Sequence, residues 1–276
     1  MEINRSLKTV LKRLRLSPIL HTLPDRLAYA QKTQLLHSDF LELVLQDEID
    51  RREHKSLQLR IDKAGFADNE ERTFERFDWD APVTFDRDRV RDLFSLGFLD
   101  RHEDVIFMGP VGVGKSHLAE ALGHAACRTS KHVLVCRADE LLKEFLQSRA
   151  DHSTSKILRY YLAPHLLIID DFALRRLDAR QSSDIYEVIL ERHKRASTIF
   201  TSNRTVAEWI PLFDDPMLAQ SAIDRLAHNA HQVVIEGDSY RKRQAPGARP
   251  SPDQGTTATP STSRRRRRNS LDRGRS

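Results

Sequence analysis

Gly109-Pro110-Val111-Gly112-Val113-Gly114-Lys115-Ser116 matches the pattern GxxxxGK[ST] at every fixed position. Such a loop carries meaning only between a buried strand and a helix. Both neighbours fit. Ile106, Phe107 and Met108 lead in as a strand would, and Leu118, Ala121, Leu122, Ala125 and Ala126 follow at the spacing of one helix face. In that unit the glycines let successive N–H groups turn inward, and the helix N-terminus adds a favourable dipole. The implied ligand is a nucleoside triphosphate with Mg²⁺. Lys115 is placed for the β- and γ-phosphates and Ser116 for the metal, with His117 directly behind them. A Gly-rich turn that binds nothing is the competing reading, and the intact motif in its proper context argues against it.

The alternation that follows sets the fold class. Apolar runs fit for buried parallel strands occur at 105–108, 133–136, 166–169, 198–201 and 232–235, with helical stretches at 116–129, 138–148, 184–195 and 218–228. Strand–helix alternation with the phosphate loop after the first strand predicts an α/β domain around a five-stranded parallel sheet.

Upstream, residues 1–64 read as a small all-α domain. Leu7, Val10, Leu11 and Leu14 form a first stripe before Pro18, residues 27–36 a second helix, and Ser38 a cap for a third carrying Phe40 to Ile49. That helix runs into Arg51, Arg52, His54, Lys55, Arg60 and Lys63, which suit either a solvated face or a DNA contact. Residues 65–103 scatter Phe66, Phe74, Phe77, Trp79, Phe85, Phe94 and Phe98 among charges, as a connector packing aromatic rings on the next domain would. Phe98 and Leu99 are candidates for the adenine pocket.

The net charge of +5 is unevenly placed. Residues 245–276 hold eight arginines against two aspartates, which leaves the rest of the chain close to neutral. This segment is rich in Pro, Ser, Thr and Gly and poor in aliphatics, so it is expected to be a disordered tail. Its run Arg264 to Arg268 fits either non-specific phosphate affinity or a solvated terminus. No apolar run approaches the roughly 18 residues that cross a bilayer, and the first twenty residues do not resemble a signal peptide. Cys127 and Cys136 lack metal-type spacing and are expected to be buried free thiols in a cytoplasmic protein.

Two further strand ends carry chemistry. His165 to Ile169 is apolar and stops at Asp170-Asp171, which suits one carboxylate near the Mg²⁺ shell and the next near an attacking water. Asp170 is assigned to the metal with Ser116, and Asp171 to the water. Ile199 to Thr201 ends at Ser202-Asn203-Arg204, and in a parallel sheet this end converges on the loop edge. Asn203 is therefore a candidate to orient the water or sense the γ-phosphate. On their own, these would be a solvated strand end and a turn.

Together with Ala222-Ile223-Asp224-Arg225-Leu226 and Gly237-Asp238-Ser239-Tyr240-Arg241, these motifs resemble the AAA+ ATPases of the IstB/DnaC group, and most of all its IstB-type insertion-sequence helpers. Asp214-Asp215-Pro216 and His228-Asn229-Ala230-His231 share that likeness, which spans about residues 5–243. The resemblance implies Walker B acids at Asp170 and Asp171, a first sensor at Asn203, an arginine finger acting on a neighbouring subunit at Arg225, and a second sensor at Arg241. Taken with the pattern along the chain, the expected division is a helical domain (1–64), the connector (65–103), an AAA+ P-loop domain (104–244) and the tail (245–276).

By the same resemblance, the expected activity is ATP hydrolysis by a homo-oligomer on double-stranded DNA, in aid of a DDE-type transposase selecting its target. A DnaC-like helicase loader is one alternative; the absence of cysteine before Cys127 removes the metal element some loaders carry. A nucleotide-binding scaffold with little turnover is the other. It stays open because Asp171 stands where the commonest AAA+ pattern has the longer Glu.

Overall fold

The computed structural model describes residues 3–67 and 72–240. Three helices form the N-terminal lobe: α1 (Arg5–Arg13), α2 (Ile19–Thr33) and α3 (His37–Ala64). The Asn4 side chain caps α1 by accepting from the Ser6 N–H at 2.9 Å. Helix α2 begins well before the expected residue 27 and runs through Pro24, with Ile19 and Leu23 buried against Val44 of α3. Ser38 does not cap α3. Its hydroxyl donates to the Asp39 carboxylate, and Leu36 holds the cap position with extended backbone. At 28 residues and about 1.5 Å per residue, α3 is roughly 42 Å long.

The far end of α3 is not a purely solvated basic face. Leu57 and Ile61 pack on the next domain, Ala64 is fully buried, and the Arg60 guanidinium donates to the Cys127 carbonyl at 2.9 Å. The connector has more regular structure than its sequence suggests: β1 (Val83–Thr84), α4 (Arg87–Leu93), capped by Asp86, and α5 (Gly97–Asp100). Its rings pack against one another, Phe74 against Phe94 at 4.4 Å and Phe77 against Trp79 at 5.0 Å between centroids, and Phe77 also meets the His117 ring at 5.4 Å.

The α/β domain then runs β2 (Asp104–Met108), α6 (Lys115–Arg128), β3 (Val133–Arg137), α7 (Ala138–Ala150), α8 (Thr154–Leu162), β4 (Leu166–Phe172), α9 (Ala179–Arg192), β5 (Ser197–Ser202), α10 (Pro216–His228), β6 (Ala230–Val234) and β7 (Glu236–Gly237). The five-stranded sheet has the order β3-β4-β5-β2-β6, and every pairing in it is parallel. One apolar core lies on each face: Phe145, Phe172, Phe200 and Trp209 anchor one, Phe98, Phe107, Leu118 and Leu122 the other. Helix α8 was not expected from the sequence, although Ile157, Leu158 and Tyr161 give it an apolar side. Helix α9 starts earlier than the expected residue 184, because Asp178 and Gln181 form a reciprocal capping box.

Strand order positions the site. β5 lies between β2 and β4, with Met108 level with Ser202 and Ile169 level with Phe200. The end of β5 therefore stands between the loop after β2 and the acids of β4. The strand β7 pairs antiparallel with β1, and beyond it the Tyr240 N–H donates to the Gly112 carbonyl at 2.8 Å. That second small sheet brings the connector and the C-terminal segment over the phosphate loop. Cys127 and Cys136 are both buried and free, as expected. The Arg-rich segment 245–276 and Arg241 lie outside the described residues.

Candidate nucleotide-binding site

A cleft of ≈ 550 Å³ opens at the C-terminal edge of the sheet, walled by the phosphate loop, the two acids of β4, Asn203 and parts of the connector. The loop can take this shape only with its glycines. Gly109 has φ +147°, and a Cβ there would stand 2.0 Å from the Ile235 carbonyl oxygen. Gly114 has φ +101° with the Phe77 ring against it, and opens α6. A backbone this close to its neighbours, with its amides at a helix N-terminus, is the cradle that a phosphate chain requires.

Lys115 is almost fully buried, and its ammonium donates to the Gly109 and Pro110 carbonyls at 2.8 and 2.7 Å and to Asn203 Oδ1 at 2.7 Å. Those acceptors hold a compact cation over the loop mouth, where a phosphate oxygen could replace them. Val111 stands exposed at the loop tip, while Val113 is buried beneath it. His117 faces the connector, its Nε2 2.9 Å from the Thr73 carbonyl and its ring edge-on to Phe77.

Ser116 donates to Asp170 Oδ1 at 2.7 Å, and Thr201 donates to the same oxygen. Thr201 also accepts from the Asp171 N–H at 3.0 Å. One hydroxyl on β5 thus fixes both acids, a role that its place inside an apolar strand does not announce. A hydroxyl and a carboxylate in contact are hard oxygen donors of the kind Mg²⁺ accepts. Among the described residues no cluster of three or more His, Cys, Asp or Glu could hold a metal by itself. Ser116 and Asp170 therefore fit a cation that arrives with phosphate oxygens and water, rather than a resident metal.

Asp171 sits in the left-handed region at φ +56°, where the β4–β5 register shifts. Its carboxylate accepts from Arg137 Nη2 at 3.2 Å, across from the end of β3. Arg137 was legible in principle: it ends a parallel strand, and such ends converge on the loop edge.

The base side of the cleft departs from expectation. Phe98 and Leu99 are 1% and 4% exposed in the core under β2 and do not line the cleft. The apolar lining comes instead from Phe77, Ala81 and Val83 of the connector and from Tyr240. The β1–β7 pairing and the Tyr240–Gly112 hydrogen bond help to bring these segments together. Arg72 also borders the cleft and is tied to Glu120 of α6, whose carboxyl burial pushes to a higher pKa.

Arg225 lies elsewhere. It is on α10, which packs against α9, and it does not line its own chain's cleft. Its Nη1 is buried with no hydrogen-bond partner among the described residues, as is Nδ1 of nearby His193. Burial, and then the charges of Lys194, Arg225 and His228, lower the pKa of His193. Among the described residues, no helix is long and apolar enough to cross a membrane.

The chain is similar to known proteins in sequence and in fold. The profile of the family described as IstB-like ATP binding protein matches residues 9–248. An ATP-binding protein of an insertion sequence from Mycobacterium tuberculosis is 40% identical over 243 residues, covering 88% of this chain and 96% of that one. The ATP-binding protein of insertion sequence IS21 from Pseudomonas aeruginosa is 32% identical over 238 residues, covering 86% and 89%. Among solved structures, the replication initiator DnaA bound to AMPPCP and single-stranded DNA aligns with a TM-score of 0.51 at 20% identity, over 63% of this chain and 53% of that one. That last likeness concerns the fold alone.

Proposed function

Because the chain belongs to the IstB-like ATP-binding family, we propose that it hydrolyses ATP as a homo-oligomer on double-stranded DNA and thereby assists a partner transposase in choosing its target. ATP binding favours stacking of subunits, and hydrolysis releases or remodels the assembly. The observation that carries this reading is the place of Arg225 on α10, partly exposed and away from the cleft of its own chain. A charge placed there serves a phosphate only if the phosphate belongs to another subunit.

Within the cleft, Lys115 exchanges the loop carbonyls and Asn203 for the phosphates. Ser116 and Asp170 would hold Mg²⁺, which supplies charge neutralisation at the phosphate oxygens. Asp171 orients the attacking water and takes its proton, Asn203 holds the water or the γ-phosphate in register, and Arg241 acts as second sensor. The arginine of the adjacent subunit stabilises the charge that develops in transfer, a contribution of about 10³-fold or more in related chemistry. Coupling turnover to assembly follows from that division. The names of the insertion-sequence relatives support the transposition setting.

The test is a mixing experiment. Turnover by the wild type should rise with protein concentration and with duplex DNA, while Lys115→Ala and Arg225→Ala should each be inactive. An equimolar mixture of the two should regain activity, because intact clefts then meet intact arginines. A mixture that stays inactive, or an Arg225→Ala protein that works normally, would overturn the assignment.

A further inference from the structure

The N-terminal lobe leaves two apolar stripes uncovered. No residue of α1 is buried, although a helix of nine residues is marginal in water without packing. Leu11 rests on the lobe core, while Leu7, Val10 and Leu14, spaced i, i+3, i+7, are 42%, 49% and 61% exposed. On α3 a second stripe, Leu41, Leu45 and Ile49, is 57%, 40% and 47% exposed.

The two stripes differ in charge. Helix α1 carries Arg5, Lys8, Lys12 and Arg13 and no acid. The first half of α3 carries Asp39, Glu42, Asp47, Glu48 and Asp50 and no Lys or Arg. Asp47 and Glu48 are engaged by Arg26, Arg51 and Arg52 within the lobe. Glu42 and Glu53 are exposed, three residues before Leu45 and four after Ile49, so they flank the stripe on the same helix face.

We propose that α1 of one copy packs on the α3 stripe of a second copy, head to tail, through apolar contact flanked by Lys and Arg against Glu. Duplex DNA has no use for the aliphatic stripes. Residues 241–276 do not supply a cover either, since Leu271 is their one large aliphatic residue. Each pairing leaves one α1 and one α3 stripe free, so the contact can propagate. Two stripes of three residues bury far less than the roughly 1,600 Å² of a standard interface. The contact is therefore weak alone and gains effect when neighbouring copies are already held side by side. It needs no nucleotide and is independent of the Arg225 reading.

Sedimentation equilibrium of the full chain, without nucleotide or DNA and up to high micromolar concentration, tests it. The wild-type average mass should climb with concentration. Val10→Glu/Leu14→Glu and Leu41→Arg/Leu45→Arg, which replace only exposed side chains, should each remain monomeric. Mixed in equal amounts, the two variants should form dimers and stop there, because each retains the stripe the other lacks. A monomeric wild type, variants that associate as the wild type does, or a mixture that stays monomeric would each overturn the proposal.

Discussion

The Lys115 ammonium donates to the Asn203 side-chain oxygen at 2.7 Å, which joins the phosphate loop to the end of β5 across the mouth of the cleft. Asn203→Ala removes one of several acceptors of Lys115, so ATP affinity should stay within about threefold, while turnover falls by about 10- to 100-fold for want of a positioning donor. Asn203→Asp should behave differently. Its carboxylate would neutralise Lys115 and face the γ-phosphate, costing ATP about tenfold in affinity, or ~1.4 kcal/mol. ADP should suffer less. Titration with both nucleotides separates the cases, and an Asp variant that binds ATP normally would place Asn203 away from the γ-phosphate.

Gly109 meets its neighbour most closely of the loop glycines. A methyl group there would lie 2.0 Å from the Ile235 backbone oxygen, and φ is +147°. Ile235, just past β6, is held by its N–H to the Met108 carbonyl at 2.7 Å and cannot yield without disturbing the sheet edge, so Gly109→Ala should abolish nucleotide binding. It should also destabilise by about 1–3 kcal/mol or more, lowering the melting temperature by several degrees. Gly97→Ala is the control, because its added carbon meets mainly the mobile end of Arg101. Comparable melting of the two variants would contradict this account.

The split between the two variants mirrors what was legible in the chain. The phosphate loop, the two acids and Asn203 could be read early because each closes a buried strand, and apolar strands ending in polar groups leave a local signal. The base side of the cleft left none. Phe77, Ala81, Val83 and Tyr240 come together through a two-residue pairing, Val83 with Gly237 and Thr84 with Glu236. No periodicity encodes a contact between segments so far apart in the chain, which is why Phe98 and Leu99 looked equally eligible from their position alone. Helix starts shifted for a related reason: Asp178 and Gln181 cap α9 before its apolar face begins.

Asp171 accepts from Arg137 at 3.2 Å with both side chains partly exposed. Such a pair is worth at most about 1 kcal/mol, so it can bias the carboxylate without locking it. Arg137→Ala should therefore raise basal turnover by no more than about fivefold, since Asp171 no longer has to leave a partner to reach the water. Asp171→Asn should instead lower turnover about 100-fold or more and retain ATP binding. Single-turnover measurements at saturating ATP distinguish these effects from changes in affinity. Slower turnover in Arg137→Ala would show that the arginine assists the carboxylate rather than restraining it.

Stability should depend on pH through a group remote from the cleft. Asp104, at the start of β2, is buried and accepts the Thr198 N–H at 2.7 Å. Burial pushes its pKa up to about 7, although the Thr198 hydrogen bond and the charge of Arg192 oppose the rise. Arg192 stays charged at neutral pH, its own pKa brought down by burial to about 10, and it keeps several backbone carbonyls as acceptors. In the unfolded chain an aspartate titrates near ~3.9. Between about pH 4 and 7 the folded protein thus holds a proton that the unfolded one has released. Stability from this group is complete below that window, declines as pH rises through it, and is level above 7. Asparagine can still accept from Thr198 and does not ionise. Asp104→Asn should match the wild type near pH 4 and exceed it at pH 8, by up to ~4 kcal/mol if the carboxyl titrates near 7 in the fold and near ~3.9 in the unfolded chain. Urea unfolding of both proteins at pH 4, 5.5 and 8 checks this through their difference, in which the other titrating groups cancel. Parallel curves, or an asparagine variant weaker at pH 8, would mean that Asp104 remains ionised in the fold.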